Sequence, residues 1–203
     1  MKEYIRTDLF PSTIEVSEIG RKLTKKEHTL LTNMPCHKNY GNLTSENNYV
    51  LELPELAKLK ANFMEAVQHY MDTIACAKPD VKAYITQSWV NYTGKGQFHH
   101  KHSHKNSYLS GVFYVNAEES VDKIKFYNEG YLQLDFNPTE WNIRNAKSWW
   151  YPVKTGRLII FPSHLAHSVE LKQEPNVRIS LSFNTFLKGN LGDNIELSEV
   201  ILP

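Results

Sequence analysis

From Val177 to Asn184 the sequence alternates without a break: Val177, Ile179, Leu181 and Phe183 are apolar, and Arg178, Ser180, Ser182 and Asn184 between them are polar. Period-two alternation puts one kind of side chain on each face of a strand, so the segment needs a sheet with one face on an apolar core. The other face meets either solvent or the polar interior of a barrel. In the second arrangement a helix covers the apolar face.

A helix of that kind stands upstream. Leu56, Leu59, Phe63, Val67, Tyr70 and Ile74 recur at spacings of three and four, and Pro54 suits a first turn, so one amphipathic helix is expected over about 53–76. Residues 1–50 show no strong period. After the helix the chain breaks into short β-rich runs separated by turn clusters, at 83–92, 108–116, 122–127, 157–161, 165–171 and 177–186. Such spacing points to a sandwich or barrel. The run at 165–171 sets Leu165, His167, Val169 and Leu171 on one face. A hairpin turn within Lys172–Asn176 would pair it with 177–186 and bring His167 within diagonal reach of Arg178. Gly111 reads as a close approach or bulge, and Gly156 as the turn into 157–161. Phe136–Pro152 holds three of the four tryptophans and reads as an irregular loop, either a substrate-facing flap or a hydrophobic cluster packed on the barrel.

Composition excludes several classes. At 203 residues one domain with its own core is expected. Cys36 and Cys76 form no CxxC pair, which excludes a thiolate zinc finger or iron–sulfur cluster and suggests a reducing compartment. Lys+Arg 23 against Asp+Glu 22 leaves a net charge of +1, too little to hold nucleic acid by counterion release. With no signal-peptide core and no apolar run near the length of a membrane span, a cytoplasmic protein with no membrane partner is expected.

Six of the nine histidines lie between positions 99 and 167, and four of those fall within Gly96–Gly111, GQFHHKHSHKNSYLSG. In an extended chain His100, His102 and His104 share a face and His99 points the other way. Neutral imidazoles converging on one point suit a divalent transition metal, and a non-haem iron(II) site uses two histidines, usually with a carboxylate, leaving positions open for substrate and O2. His167 stands in a separate strand segment, with Arg178 eleven positions later. The planar fork of an arginine is a natural anchor for the far carboxylate of a dicarboxylate co-substrate, and Ser180 on the same face adds a third hydrogen bond. His99 and His100 read either as supports behind the ligands or as surface residues, the surface reading preferred, and His164 reads as solvent-facing.

Four ordered stretches carry a resemblance: SWVNYTGKG (88–96), HSHKNSYLSGVFYV (102–115), GRLIIFPSHLAHSVEL (156–171) and RISLSFNT (178–185), with LFPS (9–12) as a weaker echo. They resemble the 2-oxoglutarate and Fe(II)-dependent oxygenases, and more narrowly a branch common in marine bacteria and their phages. The resemblance implies a mainly β fold with an N-terminal helix, a double-stranded β-helix of the jelly-roll, cupin-like kind. It divides the chain into an N-terminal segment with the supporting helix (1–80), the β-helix core (81–188) and a C-terminal tail (189–203). It implies Fe(II) and 2-oxoglutarate as cofactor and co-substrate, O2 as oxidant, and hydroxylation of an unidentified small molecule or protein side chain with release of succinate. His102 matches the first metal histidine, His167 the last, Arg178 the 2-oxoglutarate arginine and Ser180 its neighbour. Asn91, Tyr92, Tyr114 and Asn184 fall in matching motifs and either bond the co-substrate or orient ligands, or are satisfied polar groups of the barrel wall.

His104 stands where the wider superfamily usually carries Asp or Glu. Either the site is three-histidine, which is the preferred reading, or water or a remote acid completes it. Two rivals follow from that departure: a three-histidine cupin-like dioxygenase that uses no oxo-acid, and a metal-binding β-sandwich without catalysis.

Overall fold

The computed structural model describes residues 3–130 and 137–203. In chain order its main elements are β1 (Glu15–Glu18), α1 (Lys25–Thr32), β2 (Cys36–Lys38), β3 (Leu43–Ser45), α2 (Ala57–Thr73), β4 (Lys82–Thr93), β5 (His99–His102) and β6 (Leu109–Asn116). They continue with β7 (Lys123–Tyr127), β8 (Ser148–Pro152), β9 (Arg157–Pro162), β10 (His167–Val169), β11 (Arg178–Leu191) and β12 (Val200–Leu202). None of the described helices is long and apolar enough to cross a membrane.

The expected helix is α2, entered through a single 3-10 turn at Pro54–Leu56, and its buried side chains are Leu59, Phe63, Val67, Tyr70 and Met71. Helix α1 was not expected. Its signal is local: Thr24 and Glu27 form a reciprocal capping box, in which Thr24 Oγ1 accepts the Glu27 N–H and Glu27 Oε2 accepts the Thr24 N–H.

Two antiparallel sheets face each other. The larger runs β1-β9-β6-β11-β4-β3-β2, with β12 returning along the end of β11, and the smaller runs β5-β10-β7-β8. This is the double-stranded β-helix of the jelly-roll class. The apolar face of β11 meets α2: Phe63 stacks on Phe183 with centroids 5.3 Å apart and also packs on Phe113. A second core of Val112, Tyr114, Ile124, Phe126, Val153, Ile159 and Phe161 fills the space between the sheets. The polar row of β11 therefore lines an interior, the sharper of the two readings of its alternation.

Gly111 pairs with Phe183 across β6 and β11, and a Cβ there would stand 2.1 Å from the Phe183 ring. Its backbone is ordinary for a strand, so the need is for space. Gly111→Ala should force the Phe63–Phe183 stack apart and cost about 1–3 kcal/mol as overpacking does. A lowering of the melting temperature by roughly 2–10 °C is expected, and an unchanged midpoint would show that the stack can yield.

Three expectations are corrected. First, β10 and β11 are not a hairpin. β10 pairs β5 and β7 in the smaller sheet, and β11 pairs β4 and β6 in the larger. The connection crosses between sheets and is anchored by Lys172, whose N–H donates to Gln97 O and whose Nζ lies 2.9 Å from Asp122 Oδ1, both side chains 4% exposed. Asn176 Nδ2 donates to the other oxygen of Asp122. A buried ion pair fixes where the chain crosses, and this the local turn signals at 172–176 did not encode. Second, residues 148–152 of the tryptophan-rich segment are not loop but β8, whose Trp150 stands opposite Lys125. Phe136 of that segment lies outside the described residues, and Trp141 is exposed in the irregular part. Third, the chain after 188 includes a strand pair, with Gly189 opposite Leu202 and Leu191 opposite Val200.

Candidate metal centre

His102, His104 and His167 come together: one ligand nitrogen from each lies within 4.8 Å of the others. Ring centroids are 4.4 Å apart for His102–His167, 5.0 Å for His102–His104 and 5.2 Å for His104–His167. His102 ends β5 and His167 begins β10, directly opposite one another in the smaller sheet. His104 is set by its own N–H, which donates to Ser163 O at 2.9 Å.

The tautomers of two rings follow from their partners. His102 Nδ1 is 2.8 Å from His100 O and His167 Nδ1 is 3.0 Å from Leu165 O. A carbonyl only accepts, so each Nδ1 carries the proton and each Nε2 keeps its lone pair for a ligand. His104 Nδ1 faces the Asn184 amide nitrogen at 3.4 Å, while Ser110 Oγ donates to the amide oxygen at 2.8 Å. Half a turn of that amide offers its oxygen to His104 Nδ1–H and frees the third Nε2. Asn184 thus stands behind the ring of His104. Ser110 and Ser163, 2.8 Å apart, continue the network, and Ser107 bonds Ser163 at 2.7 Å.

Burial, and then the mutual repulsion of the rings, lowers every proton affinity in the cluster. His104 is pushed down to about 4, His167 lies well below its ordinary value, and His102 is lowered too. The imidazoles are neutral, the state a metal needs. The unfolded chain takes up these protons near pH 6.5 and the folded chain only at lower pH, for His104 at about 4, so the unfolded state binds more protons as pH falls below 6.5. Metal-free protein should therefore lose stability as pH falls from about 6.5 toward 4, read as a falling melting temperature by differential scanning fluorimetry. A midpoint that stays level from pH 7.5 to 4.5 would contradict the neutral cluster.

The same cleft holds the expected arginine. Arg178 is 4% exposed, lies opposite Thr93 of β4, and donates from Nη1 to Lys123 O at 3.2 Å. Its Nε is buried without a partner, and no carboxylate of the described residues pairs with it. Burial pulls its proton affinity down, opposed by Tyr114 and Asp122, yet a guanidinium stays charged. Ser180, Ser182, Asn91 and Tyr114 line the cleft with it. Asn91 Oδ1 is buried and unpaired, and burial raises the Tyr114 phenol to about 12, so it remains a neutral donor.

Other residues fall differently from expectation. Tyr92 projects to the opposite face, where its hydroxyl donates to Leu31 O and accepts from the Met34 N–H, because neighbours on a strand alternate. His164 is exposed, as expected. His99 and His100 are not surface residues. Two residues of β5 separate His99 from His102 where only one of β10 separates Val169 from His167, a bulge. It turns His99 to the cleft side, with its ring 4.6 Å from that of His102 and only 15° from parallel. His100 packs under Tyr40, its Nδ1 buried and unpaired. Trp89, whose ring lies 5.7 Å from His104, also lines the cleft. The alternation about Asn91 could have signalled it.

Residues 87–184 match the family model described as "Putative 2OG-Fe(II) oxygenase". No curated protein matches the chain. Among solved structures, it is similar to an oxidoreductase of the 2OG-Fe(II) oxygenase family from Burkholderia pseudomallei, at 13% identity, TM-score 0.57, covering 80% of this chain and 78% of that one. It is also similar to HygX from Streptomyces hygroscopicus with nickel and 2-oxoglutarate bound, at 9% identity, TM-score 0.60, covering 86% and 83%. A third is the non-heme alpha ketoglutarate dependent carbocyclase SnoK from nogalamycin biosynthesis, at 11% identity, TM-score 0.56, covering 86% and 81%. The matched residues contain the three clustered histidines and the buried arginine, and the chain shares the double-stranded β-helix fold of these oxygenases, so over residues 87–184 it is similar to the 2-oxoglutarate and Fe(II)-dependent oxygenases.

Proposed function

We propose that the chain is an oxygenase that binds Fe(II) at His102, His104 and His167, binds 2-oxoglutarate with Arg178 and Ser180 on its 5-carboxylate, and hydroxylates an unidentified substrate. The overall reaction joins one oxygen atom of O2 to a substrate C–H bond and the other to 2-oxoglutarate, which leaves as succinate and CO2. The donor set suits the ion: three neutral imidazoles, two with Nε2 lone pairs fixed by their Nδ1–H bonds. When bound, iron(II) supplies the oxidising chemistry with O2 and the oxo-acid.

The rest is work for this chain's own side chains. Backbone carbonyls of His100 and Leu165 hold the rings of His102 and His167 in one tautomer and one orientation. Arg178 presents a planar fork, oriented by Lys123 O, and Ser180 adds a hydroxyl two residues along the same face. Val112, Ile124 and Phe161 give the cleft apolar wall, which limits water around the polar ends.

The observation that carries the reading is Arg178, a buried cation with an unpaired Nε and no carboxylate bonded to it among the described residues, in the same cleft as the three imidazoles. A buried charge without a counter-ion is costly, so it is kept for an anion that arrives. A three-histidine dioxygenase acting without an oxo-acid has no use for it. Anaerobic titration of the protein with iron(II) and then 2-oxoglutarate tests the proposal. A visible metal-to-ligand charge-transfer band is expected as the oxo-acid chelates. Iron binding with no band would overturn the use of 2-oxoglutarate.

A further inference from the structure

We infer that His99 is a co-substrate contact, donating a ring N–H to the metal-binding carboxylate of the 2-oxo acid. The inference rests on the proposal that the cleft takes 2-oxoglutarate on a metal held by the histidine cluster.

Three observations meet at this residue. The bulge in β5 turns its side chain from the outer face, where simple alternation would leave it, into the cleft shared by His102, Arg178 and Ser180. Bulges that redirect a side chain are concentrated beside active sites. Next, the His99 ring stacks nearly parallel on that of His102 at 4.6 Å, which puts it directly against one of the three clustered imidazoles. Last, neither ring nitrogen of His99 has a hydrogen-bond partner among the described residues, although the ring is half-buried. By contrast His102, His104 and His167 each have one nitrogen engaged by the protein.

His99 is not one of the three residues whose ligand nitrogens cluster, so it is placed as a neighbour of the metal end and not as a fourth ligand. A donor stacked on a metal histidine reaches whatever group binds the metal beside that histidine. For a 2-oxo acid that group is the 1-carboxylate, whereas the distal carboxylate belongs to Arg178. A neutral N–H donated to a carboxylate is a charge-assisted bond.

The test measures binding without turnover. The protein is loaded anaerobically with Fe(II), or with Zn(II) for calorimetry, and titrated with 2-oxoglutarate and, separately, with 2-oxobutyrate, which lacks the distal carboxylate. His99→Phe keeps a stacking ring and removes the donor, and His99→Gln restores a donor. Metal affinity should be unchanged in both variants. His99→Phe should weaken 2-oxoglutarate by about 10–100-fold, as loss of a hydrogen bond to a charged group does, His99→Gln should recover most of it, and the same loss should appear with 2-oxobutyrate. Oxo-acid affinity unchanged in His99→Phe would overturn the inference. So would loss of metal in either variant, or a penalty that disappears with 2-oxobutyrate. If the unaltered protein binds metal but gives neither band nor heat with 2-oxoglutarate, the proposed function itself fails, and that result is read before any variant.

Discussion

His167→Ala should leave a folded protein that no longer retains iron(II), and His102→Ala should do the same. Each removes one of three convergent nitrogens. Loss of an outer-shell partner alone costs roughly 10–100-fold in metal affinity, so loss of a ligand should exceed that. The fold should survive because both rings line the cleft, His102 at the end of β5 and His167 at the margin of the second core, where it meets Phe161. His104 separates the alternatives for the third position. If it ligates, His104→Ala should also lose iron, while His104→Asp should retain it by supplying the carboxylate usual in the wider family. If His104→Ala binds iron as well as the unaltered protein, the third position belongs to water or another group. Equilibrium dialysis against a competing chelator, with far-UV circular dichroism as the fold control, measures all four variants.

The features that could be read in advance were those encoded in local period. Val177–Asn184 showed its two faces, and the structure puts Phe183 against Phe63 while Ser180 and Ser182 line the cleft. The helix was legible for the same reason, since Leu59, Phe63 and Val67 must share one side of any helix they form. What was not legible is the pairing of strands distant in sequence. A hairpin between 165–171 and 177–186 is the economical local reading, and the actual crossing depends on Lys172 meeting Asp122, fifty residues earlier. Short strands such as Cys36–Lys38 and Glu15–Glu18 hold too few residues to show a period and form only by pairing, the first with β3 and the second with the edge of β9.

The site divides along the same line. Spacing brought His102 and His104 onto one face, and the separate motif supplied His167. A single extra residue in β5 reversed the side assigned to His99, since a slip of one residue exchanges the faces of a strand. Nothing in HHKH marks where the bulge falls. Tyr92 and Asn91 show the converse: adjacent in one motif, they are separated by alternation alone, Asn91 to the cleft and Tyr92 to the backbone of α1.

Arg178→Met should weaken 2-oxoglutarate severely while leaving the metal-free protein as stable as before, or more stable. The two halves follow from one fact, that a guanidinium 4% exposed is paired with no carboxylate among the described residues. In the folded, ligand-free chain that charge is a cost, offset in part by the bond to Lys123 O and the nearby Asp122. Methionine fills similar space without charge, so the melting temperature should hold or rise. In the complex the same guanidinium meets the distal carboxylate by two parallel hydrogen bonds, and removing one partner of a buried charged pair costs about 2–4 kcal/mol, roughly 30–1000-fold in affinity. Arg178→Lys should rescue little, because an ammonium cannot reproduce the fork. With 2-oxobutyrate the unaltered protein and Arg178→Met should bind alike, since no distal carboxylate remains to be lost. A purely structural arginine gives the opposite pattern, with a lower melting temperature and equal proportional losses for both oxo-acids. Equal affinity for 2-oxoglutarate in Arg178→Met and the unaltered protein would remove Arg178 from the co-substrate site.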